Sequence, residues 1–101
     1  MKKIISITLI SFVSLTSIVS ADANKGQRIY MKKMKSSCGF SGSKFAAKHT
    51  QDEWENIKKS GKFKEEILKI CPNVKVKEKY LDSVYDFSYE FASDSGNVPS
   101  C

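Results

Sequence analysis

Histidine is nearly absent from this chain: His49 is the single one in 101 residues. Cysteine occurs three times, as Cys38, Cys71 and Cys101, with no Cys-x-x-Cys pair among them. A zinc site draws on four nitrogen or sulfur donors, normally as paired close spacings. Here the four side chains are separated by ten to thirty residues, so metal binding is not expected. Exchange chemistry of the thioredoxin type, which uses a Cys-x-x-Cys pair, is not expected either. Nor does the chain hold a Ser–His–Asp arrangement, a carboxylate pair with a shaped site or a phosphate loop. The expected class is non-enzymatic. No segment repeats and none reads as a convincing strand, so the expected architecture is all-α.

A long uninterrupted apolar run is also missing. Residues 4–19 are mostly apolar, but Ser6, Thr8, Ser11, Ser14, Thr16 and Ser17 break them up. A membrane anchor needs about 20 clearly apolar residues. Lys2 and Lys3 before the run, and Val19-Ser20-Ala21 after it, match a cleaved export signal instead. Residues 1–21 are read as that signal and 22–101 as one domain of a periplasmic or secreted protein. No stable membrane insertion is expected after cleavage after Ala21.

Removing 21 of 101 residues leaves 80. A domain of that size is marginal on hydrophobic burial alone. In an oxidising compartment two of the three cysteines are expected to pair, contributing about 3–4 kcal/mol in the chain-entropy model. Cys101 is the natural partner of Cys38, because a terminal bridge pins the tail; Cys38–Cys71 is the next choice. One thiol is left over in either case, which keeps thiol-based redox chemistry as an alternative. The lysines near Cys38 favour its thiolate, making it, with His49, a candidate haem or metal ligand.

The charge is unevenly spread. Lys25, Arg28, Lys32, Lys33 and Lys35 crowd the first helix, expected over 23–34, while Asp82, Asp86 and Glu90 form a stripe on the last, expected over 75–92. Export makes nucleic acid an improbable target for the basic cluster, and an acidic protein surface or an anionic headgroup fits better. Residues 36–43 read as a loop. Thr50 and Glu53 form a capping box opening a helix to about Lys59, with Trp54 and Ile57 inward. A further helix over 64–70 ends at Cys71-Pro72, since residues before proline avoid helical geometry. Val84, Phe87 and Phe91 give the last helix an apolar face, and its aromatics, like Trp54, are expected in the core rather than around a ligand. The tail 93–101 is expected to fray unless Cys101 ties it down.

Three of these segments, in order, resemble small class I cytochromes c. Gly26, Ile29 and Tyr30 are similar to the family's first-helix positions, the Thr50–Glu53–Trp54 spacing to its capped middle helix, and 82–92 to its aromatic last helix. The resemblance implies a bundle of about four helices whose first and last cross at Gly26. It also implies covalent haem at a Cys-x-x-Cys-His that would fall on Met34, Ser37 and Cys38, none of which is the required residue. No Met lies between Cys71 and Tyr80 to serve as second axial ligand. What the resemblance leaves is a degenerate haem motif on a cytochrome-like scaffold, without cofactor, acting as an interaction or accessory protein that docks a periplasmic partner, such as a redox protein. Haem held non-covalently by Cys38 or His49 for electron transfer is the alternative.

Overall fold

Helix runs without a break from 21 to 38, but not in one geometry. In the computed structural model, which describes residues 21–99, α1 (Ala21–Ile29) passes into a π-helical turn (Tyr30–Met34) and then into α2 (Lys35–Cys38). The expected signal, apart from Ala21, and Cys101 lie outside the described residues. Gly26, Tyr30 and Met34 are buried and Cys38 is half-buried, at steps of four. In a regular α-helix of 3.6 residues per turn, steps of four drift steadily around the axis. The wider π turn, marked by the Lys35 N–H bonding the Tyr30 carbonyl, offsets that drift. It keeps all four positions on the packed side. For this reason the helix continues into the stretch expected as loop. Gly39, in the left-handed region at φ 82°, then ends it.

After the short α3 (Gly42–Ala46), capped by Ser41, comes α4 (Gln51–Lys59) with both halves of its capping box formed. The Thr50 hydroxyl accepts from the Glu53 N–H at 3.2 Å, and the Thr50 N–H donates to the Glu53 carboxylate at 3.0 Å. α5 (Phe63–Ile70) follows and stops at Cys71. A 3-10 turn (Glu78–Tyr80) leads into α6 (Leu81–Glu90).

The last helix therefore starts later than its expected position at 75. Val74 is buried, Val76 half-buried, and Lys75 and Lys77 exposed, the alternation of an extended chain. This register seats two β-branched side chains against the protein and turns the lysines outward. A helix begun at 75 would not separate the two kinds of residue in this way. Among the described residues the fold is all-α, with α1 and α6 crossing.

Gly26 is what permits the crossing. A Cβ there would fall on the carbonyl oxygen of Ser83, 2.7 Å from its carbonyl carbon and 2.8 Å from Cβ of Phe87. Beneath it the aromatic side chains form a continuous chain. Tyr30 meets Phe45 at 5.3 Å between centroids, Phe45 meets Trp54 at 5.7 Å, and Trp54 meets Phe63 at 5.8 Å. Phe87 lies against Tyr30 at 6.1 Å. The buried polar tips are satisfied: the Tyr30 hydroxyl donates to the Phe40 carbonyl at 2.6 Å, and the Trp54 indole N–H to Ala46 at 2.8 Å. Unmet polar groups in such a core would cost about 1–3 kcal/mol each.

A disulfide joins Cys38 to Cys71, with Cα atoms 4.7 Å apart. This is the second of the two expected pairings. The π turn that holds Cys38 on the packed side and the end of α5 bring these two sulfurs together. The described start of the tail is held to α4. The Ser93 N–H donates to the His49 carbonyl at 3.0 Å, and Asp94 accepts from the Gln51 N–H at 2.9 Å. Asp94 thus adds a negative group at the start of α4, where helix electrostatics favour it.

Candidate functional site

The first helical run has a second side. While Ala23, Gly26, Tyr30 and Met34 face the core, Lys25, Arg28, Lys32 and Lys33 are exposed. Like charges three or four apart on a helix repel, by roughly 0.2–0.5 kcal/mol a pair. Lys25, Arg28 and Lys32 stand at those spacings. The extended stretch before α6 adds Lys75 and Lys77.

Between these two sources of charge sits Tyr80, half-buried. The Lys79 ammonium lies 5.3 Å from the Tyr80 ring centroid and the Lys25 ammonium 6.0 Å. Cations at such distances are attracted by the ring's electron-rich face. Two hollows meet at this residue. One, of about 420 Å³, is lined by Lys25, Arg28, Ile29, Lys32, Lys33 and Tyr80. The other, of about 220 Å³, is lined by Lys33, Lys75, Val76, Lys77 and Tyr80. Together they form a groove with an apolar floor of Ile29, Val76 and Tyr80 and a cationic rim.

None of the six rim cations has an ion-pair partner among the described residues. Some cations elsewhere are paired: Lys58 with Asp82 at 3.2 Å, Lys59 with Glu55 at 3.5 Å, and Lys64 with Glu78 at 2.7 Å. Surface pairs of this kind contribute little to stability, but they cancel charge locally. In the groove nothing cancels it, and the positive potential is available to an anion.

Four of the five cations expected to bind a partner, Lys25, Arg28, Lys32 and Lys33, line the groove; Lys35 is exposed but stands outside it. Lys75, Lys77, Val76 and Tyr80 were not legible as part of it from sequence. The repeat of lysine at every second position from 75 to 79 carries the signal. It looks like the solvated start of a helix until the chain is seen to be extended.

The remaining candidates lie apart from the groove and from one another. The sulfur of Cys38 is bonded to Cys71, so its use as an iron ligand or reactive thiol would require that bond to be reduced first. Met34 is fully buried and Ser37 exposed. His49 is held between two carboxylates: Nδ1 lies 3.3 Å from Glu53 and Nε2 2.7 Å from Glu66. Its ring also meets Trp54 edge-on, 4.7 Å between centroids. The Thr50 backbone N–H, and after it His49, hold the Glu53 carboxyl below the usual range. The two carboxylates occupy opposite nitrogens of the ring, and among the described residues no three His, Cys, Asp or Glu groups converge as metal ligands do. His49 ties α4, α5 and the tail together.

The acidic stripe has a different character from the basic groove. Burial, and then the negative charge of Asp22, push the Asp86 carboxyl above its usual range; Lys58 opposes the shift and Asp82 adds to it. No helix among the described residues is long and apolar enough to cross a membrane. Compared with protein-family models, with curated proteins and with solved structures, the chain matches none.

Proposed function

We propose that this is an exported, non-enzymatic interaction domain on a cytochrome c-like scaffold without covalent haem, which docks an acidic protein partner of a periplasmic redox system through the groove at Tyr80. The observation that carries this reading is the set of rim cations, contributed by two separate elements and left without counter-ions around a partly exposed aromatic ring. Charge of one sign held at one place steers encounter with an oppositely charged surface and fixes its orientation. Exposed groups of this kind are screened within about 10 Å at 0.1 M salt, so the docking is salt-sensitive.

The test uses the exported protein with its disulfide intact, immobilised and exposed to the periplasmic fraction of its host at low and at physiological salt. The expected result is a defined acidic protein, identified by mass spectrometry, that salt releases. The variant Lys32→Glu/Lys33→Glu is expected to lose it. Capture that neither salt nor the double reversal changes would count against the groove as the docking site.

A further inference from the structure

We infer that the groove seats one segment of the partner in which an apolar side chain is bracketed by carboxylates, with that side chain entering the hollow between Val76 and Tyr80. This rests on the docking role proposed above and narrows it to a kind of sequence.

The smaller hollow is bounded by Lys33 from the helical run and by Lys75 and Lys77 from the extended segment. Cations therefore stand on two elements either side of one depression. A flat anionic bilayer meets the outermost of them and leaves the floor uncovered. A slender polypeptide reaches both sides and the floor. At about 220 Å³ the hollow has room for a single anchoring side chain. Tyr80 supplies an aromatic face for it, and its hydroxyl has no hydrogen-bond partner among the described residues. An aromatic residue in a depression, with polar groups around it that exclude water once covered, is the anatomy of an interface hot spot. The larger hollow continues past Lys25, Arg28 and Lys32 and accommodates the flanking acidic residues.

The experiment titrates the exported, disulfide-intact protein, ¹⁵N-labelled, with two blocked pentapeptides, Glu-Glu-Phe-Glu-Glu and Glu-Glu-Ala-Glu-Glu, at low salt. Both are expected to bind, with the largest shifts at Val76 and Tyr80 for the phenylalanine peptide. Burying the ring is expected to tighten binding about tenfold over the alanine peptide. Tyr80→Ala and, separately, Val76→Ser, each checked for native helicity, should abolish the preference for the phenylalanine peptide over the alanine peptide. Equal affinities for the two peptides would overturn the anchor hollow and leave charge-driven docking standing. Failure of both peptides to bind would overturn the docking role as well. Co-sedimentation with phosphatidylglycerol vesicles, with neither peptide bound, would reassign the groove to a lipid surface.

Discussion

The two sides of the first helical run obey different rules. On the core side, Gly26, Tyr30 and Met34 are buried in the core, and no side chain larger than hydrogen fits at 26. On the solvent side, Lys25, Arg28, Lys32 and Lys33 crowd like charge around Tyr80, and none of them has an ion-pair partner among the described residues. Close packing explains the first side completely. On the second side like charges repel, and the docking role proposed above would supply the counter-charge. Residues one or two positions apart in sequence thus serve the packed core and, in the proposed role, the docking groove.

That contrast can be broken from the packed side first. Replacing both cysteines of the bond, Cys38→Ser with Cys71→Ser, opens a loop with a sequence separation of 33 residues. The expected loss is about 3–4 kcal/mol, read from urea midpoints. If the midpoint stays where it was, the bond does not hold the end of the helical run to α5. Gly26→Ala comes next, at the upper end of the roughly 1–3 kcal/mol of overpacking, because its Cβ meets backbone rather than a movable side chain. Thermal unfolding measures this, and a variant of unaltered stability would mean the two helices do not cross at this point.

A smaller change sharpens the comparison. Thr50→Ala removes half of the capping box and is expected to cost about 1 kcal/mol. Lys32→Gln with Lys33→Gln should change stability by no more than about 0.5 kcal/mol, since neither lysine has a partner to lose. A large loss there would show that the groove cations do serve the fold.

The smallest expected effect concerns the acidic edge of the crossing. The folded chain holds a proton on Asp86 more tightly than the unfolded chain does, because its carboxyl is raised by burial and by Asp22. Stability contributed by this group is present below the ordinary carboxylate range and is lost as pH rises through the raised folded value. Asp86→Asn should therefore be slightly more stable than the parent near pH 7. The difference should disappear by about pH 3, where the parent's carboxyl is protonated in both states. Chemical denaturation at the two pH values gives the comparison, and a gain that persists in acid would assign the effect to packing instead.

Much of the fold was legible because it depends on local chemistry. The Thr50–Glu53 box, the stop at Cys71-Pro72 and the inward placement of Trp54 and Phe87 follow from groups a few residues apart. The two misplaced helix boundaries have the opposite origin. The π turn that carries the first helix to Cys38 and the extended register of 74–77 both answer to packing against distant parts of the chain. The disulfide has the same origin, since three cysteines permit three pairings and only the placement of the two helix ends selects Cys38–Cys71. Half of the groove was visible as a basic helix, and the other half was hidden in a segment that read as helix.

By itself, the sequence determined that the chain is helical, that a capped helix begins at Thr50, that aromatic residues form the core and that positive charge collects on the first helix. Each of these is set by short-range periodicity, capping or composition. Only the tertiary structure decided that Gly26 meets Ser83, that Asp94 holds the tail to α4 and that Lys75 and Lys77 join Lys33 around Tyr80. These depend on which distant surfaces come together. The physical reason is that a site built across two elements is specified by their packing, and the order of residues along either one does not contain it.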